Sequence, residues 1–402
     1  MMRRRVKITG IGPVTAAGIG RAAFAAGINE TVSRTREVTR FDPVAGTFIA
    51  AEIPNFKIGD WVPGGGGVKK FPRQTQFAMA ATMLALQDAG IDLAELAGTD
   101  PVVITGSSLM DPDLMRRTIA SVALKGPRAA VPSVVFEAPP SATGGRVAGI
   151  LNTRCRTLAI QSACCSGLDA IGHGAEMVAS GQADIAFCCG TEAPIQYQPM
   201  IELTMAGLSP KNVNRPTEMG RPFDLWRNTG VIGEGACMVI LEPEDSPRPG
   251  YACVTGYAYG NDEYGLPGNG LLHTMQMALA NAARHPDEVD LINAWGPGHD
   301  VIDRAEALAL SRVFGLRVSK IPAVSIKGAI GNPLGAAGAI QVGSTALSFR
   351  TGTLPPTVNW LTPDPECPLN LSAHSRDIGF RVAIVNAHGL SGTNASLVME
   401  HM

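Results

Sequence analysis

One stretch constrains this chain more than any other. The apolar run Thr157-Leu158-Ala159-Ile160 has a strand's character, and a helical pattern follows from Gly167 to Ser180, ending at Gly181. Between them lies Gln161-Ser162-Ala163-Cys164-Cys165-Ser166. A strand that turns this sharply into a helix belongs to an α/β fold and sets a cysteine at the positive end of the helix. That placement is expected to lower the thiol pKa and to favour a thiolate nucleophile. Strand, turn and glycine-rich helix recur from Ala323 to Ile340. The echo predicts two similar halves whose helix N-termini face one pocket.

Strand-like and helix-like patterns alternate along the whole chain. Val6 to Gly12, Val102 to Thr105, Asp184 to Cys189 and Met238 to Leu241 read as strands. Gln74 to Asp88 reads as a helix with Phe77, Ala80, Ala81 and Leu84 on one face. Lys125 to Thr143, rich in Pro, Ala and Ser, reads as surface excursions. Composition shifts to Pro, Arg and Glu around Asp245 to Gly250, which places the halves at 1–245 and 246–402. In the second half, helices are expected near Leu272 to Arg284, Asp303 to Val313 and Gly335 to Ser348. Strands are expected at Leu291 to Trp295, Ala323 to Ile326, Arg381 to Val385 and Ala395 to Met399.

The chain has 402 residues, 45% hydrophobic and 17% charged, so it can bury a sizeable core. A net charge of −2 argues against binding nucleic acid or an anionic membrane. No apolar run approaches the roughly 20 residues of a membrane span. Three arginines precede the first apolar stretch, but glycines and Arg21 interrupt it, which argues against a signal peptide. The eight cysteines include the adjacent pairs Cys164-Cys165 and Cys188-Cys189 and offer no CxxC metal spacing. Cys188, Cys189, Cys237 and Cys253 sit in strand-like apolar runs and read as buried thiols, which fits a reducing cytoplasm.

Taken in order, the motifs resemble the elongating β-ketoacyl-acyl-carrier-protein synthases of the thiolase superfamily. Val6-Lys7-Ile8-Thr9-Gly10-Ile11-Gly12 looks like the family's first strand and turn. Ala163-Cys164-Cys165-Ser166-Gly167 matches the nucleophile motif. Arg221-Pro222-Phe223-Asp224, then Gly233-Glu234-Gly235-Ala236, matches the next block. Lys327, followed by Gly335-Ala336-Ala337-Gly338, matches the lysine and its glycine-alanine helix, and Asn386 to Asn394 matches the closing loop. The resemblance implies a five-layered α-β-α-β-α fold with two pseudo-duplicated halves, dimeric, with the pocket near the subunit interface. It implies no cofactor and no metal.

Three departures bear on function. Trp295-Gly296-Pro297 stands where the family has His-Gly-Thr, with Asp303 and Glu306 matching its downstream acidic pair and fixing the register. Asn332 stands where the family has its second histidine. In the family these histidines bind the malonyl thioester and assist decarboxylation; a tryptophan can donate one hydrogen bond but takes no proton. The closing loop reads His388-Gly389-Leu390-Ser391-Gly392 instead of Phe-Gly-Phe-Gly-Gly. By resemblance, Cys164 is the nucleophile, and the backbone N–H groups of Cys164 and Leu390 form its oxyanion hole. Lys327 orders the pocket. Gly389 and Trp295 lie against the substrate, and His299 falls where the family has a threonine that contacts pantetheine. Asn332 reads either as a helix cap before Pro333 or, as in initiating condensing enzymes, as a thioester-holding group. His388 is a candidate substitute base or donor.

The resemblance thus implies an acyltransferase or condensing enzyme of fatty-acid or polyketide-type biosynthesis. It would load an acyl chain from acyl carrier protein or coenzyme A onto Cys164, with a non-standard condensation or acceptor. The partner would be another copy of the chain or another ketosynthase. The alternative is a non-catalytic chain-length-factor-like subunit, which the retained Cys164 disfavours and the two missing histidines favour. A biosynthetic thiolase fits less well, because the late Cys367 lies outside the closing loop. Lys69, Lys70, Arg73 and Lys211 are candidate contacts for an acidic carrier protein, and His173 reads as structural.

Overall fold

The computed structural model describes residues 4–42, 46–63, 67–109, 111–211, 213–263 and 268–402. Strands β1 (Val6–Thr15), β2 (Pro101–Gly106), β3 (Arg156–Ile160), β4 (Ile185–Glu192) and β5 (Gly235–Pro243) lie side by side in the order β3-β2-β4-β5-β1. Strands β6 (Cys253–Asn261), β7 (Leu291–Asn293), β8 (Ala323–Val324), β9 (Val382–His388) and β10 (Thr393–Glu400) follow in the order β8-β7-β9-β10-β6. Counted from its own first strand, each half has the order 3-2-4-5-1. In each, the three strands at the far end are parallel and the other pairings antiparallel. The halves join where β1 meets β6, through Val6–Val254 and Lys7–Cys253. The duplication read from the echo is therefore a duplication of topology.

Six helices complete the layers. The first sheet is covered outside by α1 (Arg73–Ala89) and α2 (Ser141–Leu151), the second by α4 (Asn269–Asn281) and α5 (Asp300–Phe314). Between the sheets lie α3 (Ser166–Ala179) and α6 (Ala337–Thr351). The middle layer explains their composition: every residue from Ala337 to Phe349 is buried, so α6 needs no polar face. The two inner helices meet at their N-termini. A Cβ on Gly167 would sit 2.6 Å from the Gly335 carbonyl oxygen, and one on Gly338 would sit 2.6 Å from the Leu168 Cβ. Only glycine permits that approach.

β3 is a strand, as read; it is apolar in part, yet it is the outermost strand and its residues are largely exposed, Leu158 at 47%. The segment read as surface excursions lies mostly at the surface and also contains the short helix Val134–Glu137 and the start of α2. A helix from Pro112 to Lys125 was not anticipated; Asp111 caps it by accepting from the Leu114 amide, ahead of Pro112 at its first position. Cys188, Cys189, Cys237 and Cys253 are buried free thiols. Among the described residues no helix is long and apolar enough to cross a membrane.

Candidate active site

The chain leaves β3 and turns into α3 through a single tight turn, Ala163–Cys165. Ala163 takes φ 51°, a strained value for a residue with a Cβ. Ser166 holds the turn: its hydroxyl donates to the Ala163 carbonyl (2.6 Å) and accepts from the Ser162 amide (2.9 Å). From the other side comes the loop between β9 and β10. The Thr393 hydroxyl donates to the Ser162 carbonyl (3.1 Å), and the Cys165 thiol donates to the Thr393 carbonyl (3.4 Å). Gly389 passes so close that a Cβ there would lie 3.1 Å from the Ala163 Cβ. Gly389 thus serves the site through its backbone.

This packing leaves a small, partly open cavity of about 20 Å³ beside the sulfur. Cys164, Trp295, His299, Asn332, His388 and Leu390 all line it. These are the residues singled out from the sequence, except Gly389 in the wall and Lys327 behind Trp295. Cys164 is 5% exposed. Burial pushes its thiol up to about 12, and the charge of Glu192 pushes the same way. The backbones of Leu390 and Cys164, with the Lys327 ammonium, pull the pKa down without prevailing. The expected thiolate is therefore corrected: desolvation outweighs the helix start, and the resting group is a thiol.

Two side-chain atoms of residues that line the cavity are left without partners. Asn332 Oδ1 and His299 Nδ1 are buried and make no hydrogen bond. His299, half-buried at the start of α5, has its pKa lowered by burial, so the ring is held neutral. Asn332 is not spent as a side-chain cap of the following turn. His388, by contrast, is oriented. Its Nδ1 lies 2.6 Å from Asn394 Oδ1, while Asn394 Nδ2 donates to Asp262 Oδ1 (3.2 Å) and to the Gly392 carbonyl (2.9 Å). Those two acceptors fix which way the Asn394 amide faces, so Nδ1 of His388 carries the hydrogen and Nε2 keeps its lone pair. Asp262 Oδ2 stands 3.9 Å from Nδ1.

Behind Trp295 is a buried polar box whose members the sequence reading only partly identified. Lys327 Nζ donates to the Trp295 carbonyl and to Gln341 Oε1 (3.1 Å), and sits 3.9 Å from the indole centroid. Burial pushes Lys327 down to about 7, opposed by Glu306 and Asp303. Glu306 accepts from the amides of Trp295 and Gly296, both at 2.8 Å, and burial raises its pKa. Asp303, pushed up by burial to about 7, accepts from the amides of Phe223 (2.7 Å) and Gly298 (3.1 Å). The two acids used only to fix register are thus the clamps of the Trp295–Gly298 turn. Glu192 was missed. At the end of β4 it accepts from the Ser108 amide (2.6 Å) and hydroxyl and from the amides of Leu109 and Gly335 (3.2 Å each). Burial pushes it up to about 7. A lone acid closing an eight-residue buried strand was the available signal.

Other candidates fall elsewhere. Arg73 is mostly buried against Glu234 and over the Phe77 ring, so it is not a docking residue; Lys69, Lys70 and Lys211 are exposed. Cys367 lies near Asp303 and Asp364, outside the cavity. His173 packs edge-on against Tyr257 and Tyr259.

Five layers, duplicated halves and a cysteine at the inner helix start define the thiolase-like class of proteins. Within it, residues 3–246 match the β-ketoacyl synthase N-terminal domain and residues 251–361 its C-terminal domain. The chain belongs to the β-ketoacyl synthase family. It is 32% identical over 388 residues to the tetracenomycin polyketide synthase ketoacyl synthase alpha subunit of Streptomyces glaucescens, covering 91% of this chain and 90% of that one. It is 30% identical over 416 residues to 3-oxoacyl-[acyl-carrier-protein] synthase 2 of Coxiella burnetii, covering all of both. Among solved structures, the ishigamide ketosynthase/chain length factor matches with TM-score 0.91 and 27% identity over all of both chains. A β-ketoacyl synthase from Burkholderia phymatum matches with TM-score 0.91 and 26% identity, over 99% of this chain and 100% of that one.

Proposed function

We propose that the protein takes an acyl group from an acyl-carrier-protein or coenzyme A thioester onto Cys164 and passes it on without the family's two histidines, in fatty-acid or polyketide-type assembly. The observation that carries this reading is the position of Cys164 at the turn into α3, in a cavity that Leu390 and His388 also line. Because the resting thiol is protonated, loading needs a base. His388 Nε2 supplies it, taking the thiol proton as the sulfur attacks the thioester carbonyl. The Leu390 and Cys164 amides hold the oxyanion, the acyl–pantetheine C–S bond breaks, and the proton passes to the departing pantetheine sulfur. Asn394 and Asp262 keep the ring oriented, as the third member of a Cys-His-Asn arrangement does.

The test is intact-protein mass spectrometry after incubation with a panel of acyl-coenzyme A and acyl-carrier-protein donors, beside Cys164→Ala. An adduct of acyl mass that Cys164→Ala lacks is the expected result. A folded protein that takes no adduct from any donor sinks the reading and favours the second one, a non-catalytic chain-length-factor-like partner. That second reading draws on the small cavity occupied by Trp295. Under either reading the exposed edge strand β3 is the face that pairs with a second copy or with another ketosynthase.

A further inference from the structure

A buried carboxylate reaches the nucleophile turn from inside α3. We infer that Asp169 is a positioning residue for Cys164: together with Tyr257 it holds the Ser162 hydroxyl, and through it the turn that presents the sulfur. Its bearing on turnover rests on the acyl-loading reading above; its bearing on where Cys164 sits does not. Asp169 lies in the first turn of α3 and is 2% exposed. A carboxylate is costly to bury unless its oxygens are met. Here Ser162 Oγ donates to Oδ2, and the Tyr257 hydroxyl, brought by β6, donates to Oδ1 (2.8 Å). Burial raises the Asp169 pKa, and both hydrogen bonds oppose the rise.

The contact matters because of where Ser162 stands. It directly precedes Ala163, the residue strained at φ 51°, and Cys164 follows. Every polar group of Ser162 is engaged. Its amide donates to Ser166 Oγ (2.9 Å), its carbonyl accepts from the Thr393 hydroxyl and the Cys165 amide (3.1 Å each), and its hydroxyl goes to Asp169. Backbone strain persists only where the surroundings over-determine it. Two of these holds come from the second half of the chain: Thr393 directly, and Tyr257 through Asp169. The sequence makes room for the second. The Tyr257 ring crosses α3 at Gly172, where a Cβ would lie 2.3 Å from it, and His173 packs edge-on against the same ring. The ring is thereby fixed, and its hydroxyl with it.

The experiment uses the full-length protein beside Ser162→Ala, Asp169→Ala, Asp169→Asn and the double variant that joins the two alanine changes, each shown to be folded by a cooperative melt. Iodoacetamide labelling of Cys164, read by mass against Cys164→Ala, reports how the sulfur is held. Released from the hold, the sulfur gains water and its thiol becomes more acidic. Ser162→Ala and Asp169→Ala should each label roughly tenfold faster at about pH 8, the effect of a one-unit fall in thiol pKa. The double variant should label no faster than the faster single one, because both changes remove the same contact. Asp169→Asn keeps an acceptor for Tyr257 and an N–H group for Ser162 Oγ, and should stay near the wild-type rate. Acyl loading at saturating donor should fall by about tenfold or more in the two alanine variants, with the half-saturating donor concentration unchanged. A structural role alone would lower the melting temperatures and leave labelling at the wild-type rate. That result, or single effects that multiply in the double variant, overturns the assignment. A wild type that takes no acyl group from any donor removes the loading reading alone, since labelling tests the hold on Cys164 without it.

Discussion

Cys164 should alkylate slowly, at a rate that keeps climbing with pH. An ordinary thiol titrates near 9 and this one is pushed to about 12. Three units reduce the thiolate population at neutral pH roughly a thousandfold, equivalent to about 4 kcal/mol. Iodoacetamide reports that population, because the thiolate is the attacking species. Followed by mass spectrometry against Cys164→Ala, the logarithm of the rate should rise by about one per pH unit well past the titration of a free thiol. The slope is the readout, because access through the narrow cavity lowers the absolute rate without altering its pH dependence. Acyl loading should behave differently, since His388 takes the proton during attack. His388→Phe should cut loading by about 10²–10⁴-fold and barely change alkylation. A plateau in alkylation below pH 9 would refute the reasoning, because it would mean that the helix start and Lys327 overcome burial.

Trp295 is 1% exposed and carries the ring face over Lys327, so Trp295→Ala should cost about 3–5 kcal/mol, read as a lower unfolding midpoint in urea. Pairing Trp295→His with Asn332→His should raise malonyl decarboxylation, measured as released carbon dioxide; no rise would mean the pocket has diverged beyond those positions. Gly167→Ala should destabilise by about 3 kcal/mol, because its Cβ would meet the Gly335 carbonyl at 2.6 Å; an unchanged melting curve would show the helix crossing can shift. Stability should fall as pH rises above 9. Cys164 and Cys237 are pushed to about 12, with Cys188 and Cys189 also raised, so the unfolded chain releases those protons first. Lys327, lowered to about 7, works the other way as pH approaches 10.5, and four thiols outweigh one lysine. Thermal melts on either side of pH 9 check the sign.

Much of the fold was legible because strand and helix periods are local. Gln74 to Asp88 appears as Arg73–Ala89, and the echo appears as a repeated strand order. What escaped depends on layers that no local pattern encodes. Thr157 to Ile160 has strand character whether it is central or outermost, and only the sheet order reveals that β3 is the open edge. In the site, Cys164, Asn332 and His388 could be picked out from their motif positions. The thiol's protonation could not, since it follows from how completely the folded chain excludes water from Cys164. Glu192 stood out only as a lone acid ending an apolar strand; its role was not legible because its partners, Ser108 and Gly335, lie 84 and 143 residues away.

Trp295 and Asn332, which the resemblance marks as departures, act together in space. At position 295 an indole takes up the Lys327 ammonium on its face. At position 332 stands an amide whose oxygen is left unbonded. Neither side chain holds the backbone of Leu390 and Cys164, which depends on Gly389, Thr393 and Ser166. In the proposed function acyl transfer keeps that backbone, while neither an indole nor an amide carries a proton for enolate chemistry. His388, whose tautomer the Asn394 contact sets, closes β9 directly before the loop that carries Leu390. Base and oxyanion donor therefore move as one unit, so a substitution that displaces the loop, such as Gly389→Ala against Ala163, should lose both functions at once.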